Sequence, residues 1–247
     1  LVALGLVDTW VTLCCVSNQV GGNLIGNAFW TGVRTSDVLG MAGPLAGADA
    51  VLSTSQDGWT CGTPLDVLTD GRDSLFAVAM NGEPLPVEHG FPVRMVVPGL
   101  YGYVSATKWV VDVEVSRFED FTAYWSSRGW SERGPVKVAS RIDVPSGGAN
   151  VGSGTVPVAG VAWAQHRGIE AVEVRVDGGE WQPAEIAEVP SADTWRQWVW
   201  QWDATPGDHS LEARAITSDG EVQTGDVAPP APDGATGWHR VDVTVDS

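Results

Sequence analysis

From about residue 135 to the C-terminus the chain alternates apolar and polar positions in short runs, near 136–142, 155–165, 170–177, 194–202, 209–217 and 238–245. Turn-forming clusters separate these runs: PSGG, DGG, TPGD and SDGE. A period of two side chains, interrupted every 8–14 residues or so, predicts an all-β sandwich over 135–247. In WRQWVWQW, Trp198, Trp200 and Trp202 share a parity and therefore one face of a strand. That face reads as core or inter-domain packing ahead of an aromatic platform for a sugar.

The pattern over residues 1–134 is mixed, predicting an α+β domain there. Strand-like runs lie at 7–16, 74–80 and 93–97. TSDVLGMAG predicts a short helix opening at Thr35 or Ser36, where a side-chain oxygen can cap the first turn. TPLDVLTDG predicts a second helix, with Pro64 suited to a first turn. FEDFTAYWSSRG predicts a third, ending at Gly129. No internal repeat is visible.

Composition changes this picture in three ways. Lys and Arg total 14 against 31 Asp and Glu, a net charge of −17 spread over both halves. Such a surface repels phosphate backbones and lacks the cations that displace counterions, so nucleic acid is excluded as a partner, as is a polybasic membrane dock. The longest apolar opening, Leu1 to Val7, falls far short of the ~20 residues a spanning helix needs. The chain opens on Leu without a basic leader, which reads as a fragment of a longer protein whose targeting signal lies upstream. Thirteen Trp and thirty Gly favour β structure with tight turns, while three cysteines cannot form a disulfide framework.

Common catalytic motifs are missing. There is no GxSxG, no Walker loop and no GxGxxG after a strand, and the four His are scattered. Cys14, Cys15, Cys61 and His89 could supply zinc ligands, but adjacent cysteines do not match the two-to-four-residue gap of a structural site. Three stretches stand out. TLCCVSNQVGG places a thiol between an apolar strand and a Gly-rich loop, and SQDGWTCGTPL is a second such loop. The third, MNGEPLPVEHGFPVRMVVPGLYGYVSATKW, is dense in Gly and Pro with one His, one Arg and one Lys. Loops of this kind supply backbone amides and cationic donors in fixed positions, as an anionic ligand needs. His89 alone also suits a structural histidine, and Arg94 could simply pair with an acid.

Taken together these stretches resemble the sulfite oxidase superfamily of molybdopterin enzymes, over nearly the whole chain. TLCCVSN is similar to the family's TLQCAGN, which puts its molybdenum-ligating cysteine at Cys15. GNAFWTGVRTSDVL is similar to another family segment, and MNGEPLPVEHGFPVR followed by VVPG and KW resembles a highly specific signature. RIDVP, GVAWA, VEVRVDGGEWQPA and GWHRVDV resemble the family's C-terminal immunoglobulin-like dimerisation domain. The resemblance implies a molybdopterin domain over 1–134 lacking its N-terminal part, followed by an immunoglobulin-like sandwich over 135–247. It implies Mo-molybdopterin as cofactor, Cys15 as metal ligand, and Asn18, Asp57, His89, Arg94, Ser105, Ala106, Thr107 and Lys108 as cofactor contacts. Arg94 and Lys108 would meet the phosphate, and Asp57 would accept from the pterin ring. The implied reaction is two-electron redox, normally with oxygen-atom transfer.

The departures bear on substrate. Asn18 is followed by Gln19 and Val20 where the family has sulfite-binding arginines. A substrate-side tyrosine falls at Trp130, and PPAPDGATG holds no counterpart of a C-terminal arginine. With these cations missing, a neutral small molecule such as a sulfoxide or N-oxide is expected in place of sulfite. The resemblance further implies a homodimer through 135–247, a separate electron-transfer partner because no haem motif CxxCH exists, and an extracytoplasmic location with an upstream membrane tether. Only fourteen residues precede Cys15, so this stretch by itself is expected to hold cofactor poorly and to be inactive. The rivals are a non-catalytic dimeric scaffold on the same fold and a thiol redox protein using Cys14 and Cys15. Retention of Cys15, Asp57, His89, Arg94 and Lys108 together favours the enzyme.

Overall fold

The computed structural model describes residues 2–247. The chain divides into two compact units. The first comprises the chain up to Val16, Ile25–Val136 and Ala231–Asp233; the second comprises Ser17–Leu24, Lys137–Pro230 and Gly234–Ser247.

The first unit is mostly β. Its strands are β1 (Val7–Cys14), β2 (Ile25–Arg34), β3 (Ala50–Ser55), β4 (Thr60–Pro64), β5 (Leu75–Met80), β6 (Glu83–Pro84), β7 (Arg94–Val96) and β8 (Val110–Ser116). One sheet runs β1-β2-β5-β6, with β7 also paired to β5; a smaller one runs β4-β3-β8. Alternation in β1 and β2 turns Val11, Ala28 and Trp30 inward, where they meet Leu75, Ala77, Leu85 and Val96. The one α-helix among the described residues, α1 (Thr35–Ala42), ends on Gly43 in the left-handed conformation, with the Gly43 N–H on the Leu39 carbonyl.

Three local expectations are corrected. The expected hydroxyl cap of α1 is not made: Thr35 is already helical, and its hydroxyl donates to the Leu68 carbonyl. TPLDVLTDG forms turns instead of a helix, because Thr63 and Pro64 are still paired in β4 with Val51 and Ala50. FEDFTAYWSSRG forms two single 3-10 turns, Phe118–Asp120 and Ser126–Arg128. Here the Phe118 and Tyr124 amides are committed to the Asp49 carboxylate and the Thr60 hydroxyl, which leaves too few for an α-helical ladder. Strands β2, β3, β4 and β8 form where no run was anticipated.

The second unit is all β, with β9 (Ala139–Val144), β10 (Asn150–Gly152), β11 (Gly154–Trp163), β12 (Ile169–Val176), β13 (Gln182–Pro183), β14 (Glu185–Ile186), β15 (Arg196–Ala204), β16 (Gly207–Thr217) and β17 (His239–Asp246). Sheets β10-β17-β16-β12-β13 and β14-β15-β11-β9 enclose one core. Trp198 and Trp202 are buried in it and Trp200 packs against it, as their shared parity anticipates. The shape is the β-sandwich expected from the six alternating runs, of the immunoglobulin-like kind that the family resemblance implies.

Candidate functional site

The end of β1 separates two neighbouring thiols. Cys14 still belongs to the strand, points inward and is 3% exposed. Burial, reinforced by Cys15, pushes its thiol up to about 12, so it stays protonated. Cys15, one residue beyond the strand, is exposed and unbridged. Of the pair, Cys15 is the one that can present sulfur to a ligand.

The long Gly/Pro-rich stretch folds beside this strand end. An ideal Cβ on Gly102 would lie 3.8 Å from the Cys14 carbonyl oxygen and 3.6 Å from the Ala106 Cβ. From that turn the chain runs through Ser105, Ala106 and Thr107 to Lys108. The Ser105 hydroxyl donates to the Tyr101 carbonyl at 2.9 Å, and the Ala106 amide to Gly102 at 3.0 Å. Met95, next to Arg94 on β7, donates its amide to the Thr107 carbonyl at 2.8 Å. These bonds clip the 102–108 loop to the strand that carries Arg94.

Arg94 is 7% exposed. It donates to the His89 carbonyl at 3.1 Å, and its guanidinium carbon lies 5.0 Å from the Trp30 ring centroid. Burial pulls its pKa down to about 10, still far above neutrality, so the charge is kept. Lys108 donates to the Glu88 carbonyl at 3.0 Å and lies over the Trp109 ring. Among the described residues no carboxylate is within ion-pairing distance of either cation. Gly90 brings the two together: its φ is +109°, and a Cβ there would sit 3.0 Å from the Cβ atoms of both Arg94 and Lys108.

Backbone donors complete this corner. The N–H groups of Thr107 and Lys108 donate to no backbone or side-chain acceptor among the described residues. Asp57 is exposed on the β3–β4 turn. The Ser55 hydroxyl and the Trp59 N–H, with Lys108 adding to them, hold its carboxyl below the usual carboxylate range. His89 ends a 3-10 turn with its ring exposed, and it contributes its backbone carbonyl to Arg94. Arg94, Lys108, Asp57 and the His89 turn thus gather around one corner of the first unit.

Two expected residues lie in the second unit. Asn18 is buried, and its side-chain oxygen accepts from the Leu24 amide at 2.8 Å, so it shapes its own loop; Gln19 is exposed. Trp130, in the first unit, packs on Tyr103 with ring centroids 6.0 Å apart. Sequence reasoning missed Trp30 under the guanidinium, Gly90, and a set of buried hydroxyls beneath the loop. Ser53 and Ser55 take inward positions of β3, but no period stands out over 50–55 in the sequence, so nothing there marked these hydroxyls.

The donor set suits a molybdopterin. An uncompensated buried guanidinium, an ammonium and two unused amides match an anionic phosphate, and an exposed thiol matches a soft metal. No group of three or more metal-ligating side chains occurs among the described residues.

Comparison with known proteins agrees with this chemistry. The family model described as oxidoreductase molybdopterin binding domain matches residues 1–125, and one described as bacterial Ig domain matches residues 139–213. Mitochondrial sulfite oxidase of Mus musculus is 34% identical over 258 residues, covering 90% of this chain and 47% of the mouse protein. The uncharacterized oxidoreductase YuiH of Bacillus subtilis is 41% identical over 105 residues, covering 42% of this chain and 52% of its own. The chain thus spans about half the length of the curated relatives it matches. In fold it is similar to the sulfane dehydrogenase SoxCD from Paracoccus pantotrophus, with a TM-score of 0.81 and 23% identity, over 100% of this chain and 73% of that one. With its molybdopterin-domain match over half its length and its Ig-like sandwich, this chain belongs to the sulfite oxidase family of molybdopterin oxidoreductases.

Proposed function

We propose that the protein is a Mo-molybdopterin-dependent oxidoreductase acting on a neutral small molecule, such as a sulfoxide or N-oxide. The observation that carries the cofactor reading is Arg94: a buried guanidinium with no carboxylate, beside Lys108 and two unused amides. Burying an uncompensated cation costs several kcal/mol, which a fold retains when a bound anion completes the pair.

In this reading Cys15 gives its thiolate to molybdenum, while Cys14 stays a buried thiol one residue away. Arg94, Lys108 and the amides of Thr107 and Lys108 hold the phosphate, with Ser105 and Ala106 shaping their loop. Asp57, kept ionised at neutral pH, accepts from the pterin ring, and the His89 turn supplies the carbonyl that Arg94 holds, while Asn18 fixes the loop that follows Cys15. When bound, the cofactor supplies two-electron redox chemistry, normally with oxygen-atom transfer.

The substrate reading rests on charge. Gln19 and Val20 follow Asn18, Trp130 stands where the resemblance puts a substrate-side tyrosine, and the net charge is −17. None of these attracts a dianion. The Ig-like unit serves as the homodimer contact, and electrons leave through a separate partner.

The test is elemental and kinetic analysis of the full protein, purified from a host that makes molybdopterin. About one molybdenum per chain, lost in Cys15→Ser, with turnover of S- or N-oxides, is the expected result. A metal-free protein overturns the cofactor reading, and efficient turnover of sulfite at low Michaelis constant overturns the substrate reading.

A further inference from the structure

Beneath the 102–108 loop the core is filled with hydroxyls and a thiol. Ser53, Cys61, Thr63 and Thr107 are all 0% exposed. Ser53 and Cys61 face each other across the β3–β4 ladder, and Thr63 lies two residues beyond Cys61 on the same face. The Ser53 and Thr107 hydroxyl oxygens are 2.7 Å apart. Thr63 donates to the Val104 carbonyl at 2.7 Å, and the Cys61 sulfur lies 3.7 Å from the Thr63 hydroxyl.

Each hydroxyl has one proton, so these distances give the Thr63 branch of the network a direction. Thr63 spends its proton on Val104, so the Cys61 S–H must be the donor to Thr63. Ser53 and Thr107 share one hydrogen bond in which either hydroxyl can donate, and the Ser53 hydroxyl also lies 3.4 Å from the Cys61 carbonyl. Burial holds Cys61 in the protonated form this requires. Two short links result: Cys61 to Thr63 to the Val104 carbonyl, and Thr107 paired with Ser53 beside the Cys61 carbonyl. They grip the loop at both ends, at Val104 and Thr107. Just at and after those points lie the Thr107 and Lys108 amides, which have no acceptor among the described residues, and the Lys108 ammonium.

Apolar side chains of the same shape would fill this space without any polar group to satisfy. What the hydroxyls add is direction, since a hydrogen bond fixes a loop's rotation where a methyl contact does not. We infer that Ser53, Cys61 and Thr63 are positioning residues that hold the Thr107 and Lys108 amides, together with Lys108, in register with Arg94 for an anion. The inference rests on the cofactor reading above, and concerns residues that touch no ligand themselves.

The experiment uses inorganic phosphate as the probe and amide NMR of the isotope-labelled full chain as the readout. In the wild type the Thr107 and Lys108 amide resonances move on titration. Thr63→Val, which keeps the shape and removes the hydroxyl, weakens phosphate binding about fivefold, while Thr63→Ser, which keeps the hydroxyl, stays within about twofold of wild type. Thermal unfolding measured alongside separates this from a merely structural role, under which affinity would follow Tm in both variants. If Thr63→Val does not fold, Ser53→Ala is titrated in its place, with the same loss expected. Wild-type resonances that do not move overturn the anion-binding reading itself. Resonances that move, with the Thr63→Val or Ser53→Ala chain titrating as wild type does, overturn the positioning inference alone.

Discussion

The interior under the 102–108 loop and the interior of the sandwich are both walled by β-strands, yet they are filled with opposite chemistry. The sandwich core is Val, Ala, Ile, Leu and two buried Trp, an inventory that gains from every methylene and whose only polar side-chain atoms are the two indole N–H groups. Under the loop sit Ser53, Cys61, Thr63, Ser105 and Thr107, with Arg94 on the adjoining strand. Polar groups stabilise a core little when satisfied and harm it when not. A first unit that sets a polar interior under this loop beside its own apolar core gives up stability where geometry must be exact. The difference teaches where to look for function: in the interior that is costlier than it needs to be.

The largest effect expected from breaking this contrast is at the exposed thiol. Cys15→Ser should remove molybdenum from the protein purified from a molybdopterin-making host, measured by elemental analysis. Cys14→Ser, one residue inward, should leave the metal content nearly unchanged. Equal losses in both variants would mean that burial does not decide between the thiols.

Next in size is the apolar side. Trp202→Ala, which empties a large part of the sandwich core, should cost about 3–5 kcal/mol in chemical denaturation. In the same chain the phosphate-induced shifts at Thr107 and Lys108 should persist wherever the protein stays folded. Loss of phosphate binding in parallel with stability would dissolve the distinction between the two interiors.

Arg94→Met probes the costly side. Removing a buried, uncompensated charge should leave the ligand-free chain as stable as wild type or up to about 2 kcal/mol more so. Added phosphate should stabilise the wild type and leave the variant unmoved, as read by thermal unfolding. A strongly destabilised Arg94→Met would assign the guanidinium to structure, through its bond to the His89 carbonyl.

The smallest effect is a pH dependence in the sandwich. His209 bonds the Asp177 carboxylate at 2.7 Å, and this bond raises its pKa above the ordinary 6.5. Burial alone would raise Asp177, but the Ser210 N–H and His209 outweigh it and lower its pKa. The histidine's contribution to stability is therefore whole below pH 6.5 and fades as pH rises through its folded pKa. The carboxylate's contribution fades only in acid, below its ordinary 3.8. Because the Asp177 side chain is about half exposed and screened by solvent, the loss on the alkaline side should not exceed about 0.5 kcal/mol. His209→Gln should flatten that slope in denaturation measured across neutral pH.

Much of the sandwich was legible because strand alternation and turn residues act locally: six runs with four turn signals already give its period and faces. The family's motifs likewise sit in contiguous words, so Cys15, Arg94 and Lys108 could be singled out in one dimension. The small sheet was not legible. The runs at 50–55 and 60–64 are short and rich in Ser, Thr and Gly, so neither period stands out against loop composition. The two helices that failed to form did so for a related reason. TPLDVLTDG and FEDFTAYWSSRG carry helical propensity, but strand pairing at Thr63 and Pro64 and the bonds from Asp49 and Thr60 had already claimed their backbone.

By itself, then, the sequence determined the β character of the second unit, the family, and which residue types could meet an anion and a soft metal. Only the tertiary structure decided which of two adjacent cysteines faces outward, that Arg94 is buried without a carboxylate, and that Ser53, Cys61 and Thr63 lie beneath Thr107. Alternation and motifs depend on neighbours along the chain. Burial, pairing and proton direction depend on neighbours in space, brought together from as far apart as Ser53 and Thr107 only when β3, β4 and the loop close around one another.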